Sequence, residues 1–297
     1  MTNTPRDTAR ALVVSHDEKA IISKQMQSDI QVDRGARTKR AVIFHCFTTG
    51  LDPNGSEDWA RDEIIDIGML PIEFTDDFRI VRVDASYQSF RQPAKAIPPG
   101  VTARNGITND TVKGHKIDFD RVWHIVESAD WIIAHDAKFV RCFAERLHPT
   151  AFTTKPWACS WMELDWPERG RAYQINPLGC FKENPRALDD CYVLLELLMR
   201  PLGQSKVPAL GDLIATAQKL TVRLWAFGAP FEKNDLLKAR NYRWNSGSNG
   251  MPRAWFIDVS ESTGEAEIAF LRASIFGSGW IPRRSLLTAY DRFSDRV

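Results

Sequence analysis

No window of the chain approaches the roughly 18 to 20 continuous apolar residues that a membrane-spanning helix needs, so no spanning segment is expected. An excess of one charge is also missing. The 39 Lys and Arg residues face 38 Asp and Glu, a net charge of +1, which excludes retention on nucleic acid or an anionic membrane by bulk charge alone. Any such binding has to come from a local patch. The five cysteines (Cys46, Cys142, Cys159, Cys180, Cys191) form neither a CxxC pair nor an even framework, and no basic, apolar, small-residue signal stands near Met1. Reduced thiols and a cytoplasmic location are the expectation. Internal repeats and low-complexity tracts are absent too. What remains is an ordinary globular composition: 297 residues, 43% hydrophobic and 26% charged, are enough for one large core and an appendage.

Residues 1–36 are polar and of mixed charge, with apolar patches too small for a core, and read as an extension, in part disordered or helical. The run Ala41-Val42-Ile43-Phe44 predicts a buried strand that ends in the turn Thr48-Thr49-Gly50. Ile64 to Leu70 and Ile80 to Val83 predict two more strands, and without an intervening helix the three form an antiparallel meander. Helical spacing then appears at Phe119, Val122, Trp123 and Val126. A short strand follows at Trp131-Ile132-Ile133-Ala134, and a second helix at Phe139, Cys142, Phe143 and Leu147. Asn184 and Pro185 stand before the stripe Leu188, Cys191, Leu195 and Leu198 as an N-cap and a first-turn proline. Alternating strands and helices after a meander make the class α/β.

Three of these segments carry a resemblance. Phe44-His45-Cys46-Phe47-Thr48-Thr49-Gly50-Leu51-Asp52, followed by Asp62-Glu63-Ile64-Ile65-Asp66-Ile67-Gly68, is set against F-D-x-E-T-T-G-L-D and D-x-I-I-E-I-G. Ala134-His135-Asp136-Ala137-Lys138-Phe139-Val140 is set against A-H-N-A-x-F-D, and Pro185-Arg186-Ala187-Leu188-Asp189-Asp190 against H-R-A-L-x-D. Gly106-Ile107-Thr108 matches a G-I-T turn between them. Over about Lys39 to Arg200 the order and spacing resemble the DEDD 3′-to-5′ exonuclease superfamily, the DnaQ-like group that includes the epsilon subunit of bacterial DNA polymerase III and RNase T. The resemblance implies a ribonuclease H-like mixed sheet flanked by helices over 37–200, after which a linker helix over 201–220 and a small α+β appendage over 221–297 are expected.

The resemblance also implies Mg²⁺ or Mn²⁺ between four carboxylates with a histidine base, because a two-metal pair stabilises both oxygens of an in-line phosphoryl displacement. At those positions this chain carries His45, Phe47, Val140 and, for the base, Pro185; only Asp190 keeps its carboxylate. A single carboxylate cannot offset the repulsion of two dications. The expectation is therefore a catalytically silent member with weak metal binding at Asp190 or none. Nucleic-acid contacts are expected from Thr48, Thr49, Gly50, Leu51, His135, Asp136 and Phe139, and the expected partner is a single-stranded DNA or RNA 3′ end, with replication or repair proteins as further candidates.

His45 with Asp190 and Cys46 could form a transition-metal site, although a histidine in an apolar strand is more often hydrogen-bonded core. Asp62, Glu63 and Asp66 read as loop and strand-flank acids rather than substitute ligands. Two alternatives stand beside the silent reading: an active metal-dependent exonuclease with a rearranged site, and a protein-interaction scaffold.

Near the C-terminus Lys238, Arg240, Tyr242, Arg243, Trp244, Arg253 and Trp255 interleave basic and aromatic side chains around a Gly/Ser/Asn turn, which predicts a β-hairpin. The expectation is that its tryptophans pack on the main domain and its arginines are solvated. A helix is expected after it, from about Gly264 to Ile275.

Overall fold

The computed structural model describes residues 37–52, 61–165, 186–202, 204–247 and 250–297. The expected N-terminal extension, Cys180, and the proposed cap and first-turn proline at Asn184 and Pro185 lie outside them. The chain divides into a first compact unit that ends at Ile214 and a second over Ala215–Val297.

The first unit is a mixed α/β layer structure built on a six-stranded sheet. Its strands are β1 (Thr38–Thr48), β2 (Ile64–Thr75), β3 (Ile80–Val83), β4 (Tyr87–Phe90), β5 (Trp131–Ala134) and β6 (Trp157–Cys159). Their order is β3-β2-β1-β5-β6, with β4 also paired to β2. As the apolar runs predict, β1, β2 and β3 form an antiparallel meander, whereas β5 joins β1 and β6 joins β5 in parallel. Ala41, Val42, Ile43 and Phe44 are all buried because β1 is the middle strand, flanked on both edges. The arrangement is compatible with the ribonuclease H-like architecture that the resemblance implies.

Helix α1 (Pro99–Asn105) ends at Gly106, whose φ of 72° is the left-handed conformation that a Cβ would strain. The Gly106-Ile107-Thr108 segment is thus a stop, a buried anchor and a cap: Ile107 is in the core, and the Thr108 hydroxyl accepts from the Thr111 amide at 3.1 Å. Helix α2 (Phe119–Glu127) is capped by Asp118 and buries Val122 and Val126, and helix α3 (Ala137–Leu147) is capped by Asp136. Trp123 stacks on His148 instead of entering the core. Helix α4 (Ala187–Leu198) has Arg186, not Asn184, at its N-cap, and helix α5 (Ala209–Ala217) follows.

The second unit holds a four-stranded antiparallel sheet of β7 (Thr221–Ala226), β8 (Arg243–Asn245), β9 (Ala254–Ser260) and β10 (Arg283–Leu287) in the order β10-β7-β9-β8. Helix α6 (Glu261–Leu271), capped by Ser260, covers one face. Val222, Leu224, Ala226 and Trp255 from the sheet meet Ile268, Leu271 and Ile275 there. Among the described residues no helix is long and apolar enough to cross a membrane.

Candidate functional site

Alternation along β1 puts His45 and Phe47 on one face, and their antiparallel partners on β2, Gly68 and Asp66, share it. Helix α4 lies over this face, and Gly68 is what lets it come so near: a Cβ there would overlap the backbone of Ala187 and Leu188. The start of the helix is held by Asp66, whose carboxylate accepts from Arg186 Nη2 and the Ala187 amide, both at 2.8 Å, and from Arg186 Nε at 3.0 Å. Asp189 accepts the Arg186 amide. With its N-terminus so fixed, α4 carries Asp190 to His45, and His45 Nε2 lies 2.9 Å from Asp190 Oδ2.

A carboxylate only accepts, so the proton of that contact is on Nε2. The other ring nitrogen, Nδ1, is buried and has no hydrogen-bond partner among the described residues. Beside this pair the Phe47 ring meets the imidazole edge to face at 5.4 Å. Phe47 also packs on an apolar cluster of Ile65, Ile97, Ile107 and Val112. Phe90 packs on the same cluster and lies under the Arg186 guanidinium, 3.5 Å from ring centroid to carbon. Burial pushes the Asp66 carboxyl above the usual carboxylate range, against the lowering effect of Arg186 and the Ala187 amide.

The structure brings His45, Phe47 and Asp190 together. Val140 is fully buried within α3, so the position that would carry the second-motif carboxylate is core. Pro185 lies outside the described residues. Asp66 is not a strand-flank acid: it is inside β2, fully buried, and anchors α4. Asp62 closes the turn after β1, accepting from Thr49 Oγ1 and the Asp52 amide, and a Cβ at Gly50 would push that carboxylate out of place. Glu63 accepts from Arg91 and the Ala94 amide. Cys46 alternates to the opposite face of β1, so it does not join His45 and Asp190.

The residues expected to contact nucleic acid have visible local roles. Thr48 donates to the Gly50 carbonyl, Thr49 is tied to Asp62 and Glu63, and Leu51 projects with 73% of its surface exposed. His135 Nδ1 is 3.0 Å from Ser160 Oγ, its ring meets Trp161 edge to face, Asp136 caps α3, and Phe139 packs on Phe143. Because β1 and β5 are parallel neighbours, the Thr48–Leu51 turn and His135-Asp136 emerge from the same end of the sheet, where open α/β sheets bind ligands.

The Mg²⁺ or Mn²⁺ pair implied by the resemblance does not fit these side chains. Asp190 Oδ2 is engaged by His45, and the neighbouring inward positions are an aromatic ring and an imidazole. Among the described residues no group of three or more His, Cys, Asp or Glu side chains is placed to hold a metal ion.

No protein-family model and no curated protein matches the chain. Solved structures do. Exonuclease X in complex with 5′ overhanging duplex DNA aligns at a TM-score of 0.38 and 23% identity over 54% of this chain and 89% of that one. E. coli Exonuclease I with a dA16 oligonucleotide aligns at 0.45 and 13% identity, over 75% of this chain and 63% of that one. The same enzyme with a 5cy-dT13 oligonucleotide gives 0.46 and 14%, over 75% and 64%. The chain therefore spans under two thirds of the Exonuclease I chains that it matches.

In the second unit the expected hairpin forms between β8 and β9, and the helix behind it begins at Glu261. Lys238 belongs to a short helix, Asn234–Ala239, and not to the hairpin. Arg240 and Tyr242 are spent on Glu267, and the tryptophans pack within their own unit, Trp244 edge to face on Trp255. β7 and β10, which complete the sheet, are not among the elements assigned from the sequence.

Proposed function

We propose that the first unit is a DnaQ-like nucleic-acid-binding domain that holds a single-stranded 3′ end without cleaving it. The observation that carries this reading is the closure of His45 on Asp190 beside Phe47, which leaves, among the described residues, no pair of carboxylates to hold two metal ions at the end of a sheet whose turn motif is otherwise kept. The structural neighbours solved with DNA agree with a nucleic-acid ligand. On this reading the exposed Leu51 and the Thr48–Gly50 turn meet the terminal nucleotide, while His135, Asp136 and Phe139 border it.

The test uses labelled DNA and RNA single strands whose 3′ ends carry either a hydroxyl or a phosphate. Tighter binding of the hydroxyl ends, weakened by Leu51→Ala, is expected. With Mg²⁺ or Mn²⁺ the natural chain should leave the strands intact, and His45→Asp, Phe47→Glu, Val140→Asp and Pro185→His together should favour cleavage. Cleavage by the natural chain that Asp190→Asn abolishes would overturn the silent reading, and indifference to the 3′ end would overturn the end-binding one.

A further inference from the structure

One face of the second unit's sheet is covered by α6; the opposite face carries a different chemistry. The register aligns Arg283, Trp225, Phe256 and Arg243 in one row across β10, β7, β9 and β8, and opposed residues share a face. Arg223, two residues before Trp225, lies on the same face, and Phe227, just past the end of β7, stacks on Trp225 at 5.5 Å. The guanidinium groups lie against these rings: Arg283 is 5.3 Å from the Phe227 centroid, and Arg223 and Arg243 are 4.4 and 4.8 Å from that of Phe256.

The charges on this face do not balance. Arg223 and Arg243 share one carboxylate, Asp258, and no described carboxylate pairs with Arg283. Elsewhere in the unit Arg240 is paired with Glu267 and Arg284 with Glu265. Here a cleft of about 440 Å³, floored by Trp225 and Phe227, opens beside Arg283. Its volume lies in the range of small-molecule sites and leaves room for a base. Guanidinium planes propped on aromatic rings offer stacking surfaces for bases, and their unpaired hydrogens suit phosphate.

We infer that this sheet face is a binding site for single-stranded nucleic acid, with a base in the cleft beside Phe227 and backbone phosphates on Arg283 and Arg243. The site is independent of the reading of the first unit: it takes an internal stretch of strand and needs no 3′ end.

Fluorescence anisotropy of the full chain with 5′-labelled oligothymidylate and oligouridylate, each blocked by a 3′ phosphate, tests it. Arg283→Gln with Arg243→Gln is expected to weaken binding at least tenfold and to lower the slope of log affinity against log salt by about 1.4, two phosphates at roughly 0.7 each. Phe227→Ala should cost about fivefold or more through lost stacking. Arg283→Lys should keep the salt slope while losing affinity, and Lys238→Gln, which removes a charge elsewhere in the unit, should change little. Binding of only one of the two probes supports the site and identifies which of the two nucleic acids it prefers.

Failure of the parent to bind either probe, or parental affinity and slope in the double arginine variant, would overturn the inference. Loss of 3′-end preference in the presence of this arginine dependence would fail only the reading of the first unit.

Discussion

Removing either partner of the Asp66–Arg186 pair should destabilise the first unit, and by unequal amounts. Asp66 is fully buried, whereas 30% of the Arg186 side chain is exposed. In Asp66→Ala the guanidinium can turn to water, so the loss is the charge-assisted bonds and an orphaned Ala187 amide, about 2 to 3 kcal/mol. In Arg186→Met the carboxylate cannot reach water and keeps only the Ala187 amide, which places the cost at about 3 to 5 kcal/mol near neutral pH.

The sign of the pH dependence follows. The folded-state value of Asp66 is already raised by burial and rises further without Arg186, so the folded chain binds the proton more readily than the unfolded one. Stability of Arg186→Met therefore falls as pH rises from about 4, the unfolded value, through the raised folded value. Acidification should narrow the gap between the two variants. Urea titrations at pH 7 and near pH 4.5, with amide exchange along Ala187–Leu198 as a local readout, measure both effects. The reasoning is refuted if Arg186→Met is the milder variant at pH 7, or if its cost is the same at both pH values.

Gly68→Ala should cost about 1 to 3 kcal/mol, since α4 must move off β2 to admit the methyl group, and the imidazole contact to Asp190 should loosen with it; imidazole NMR resonances would report both. Burial raises the thiols of Cys46 and Cys191 and pushes that of Cys159 up to about 12, so these three should resist a thiol reagent in the native chain. Because the same thiols ionise near pH 8.5 once unfolded, stability should decline as pH rises above that value, and urea midpoints between pH 7 and 10 would show whether it does. Tyr242→Phe removes the hydroxyl that donates to Glu267 at 2.8 Å and should cost about 1 to 2 kcal/mol in the second unit, measurable by thermal unfolding.

The meander, the strand at Trp131–Ala134 and the helices at 119–127 and 137–147 were legible because apolar periodicity and capping residues are local signals. So was the substitution of His45, Phe47 and Val140 within a recognisable motif order, since that needs only alignment of neighbouring residues. The roles of Asp66 and Gly68 were not legible. An acid inside an apolar run looks like a strand flank until a helix more than a hundred residues later is seen to begin on it.

The arginine and aromatic array on the other face of the second sheet was hidden for the same reason. Arg223, Trp225, Phe227, Phe256 and Arg283 come from three strands that pair far apart in sequence, so no window contains them, while the Lys238–Trp255 run that does stand out locally is divided between two faces and a helix. Local sequence determined which elements form and which side chains stand at the motif positions. Which charges end up paired, buried or left over is a property of strand register and helix approach, and only the tertiary structure decided it.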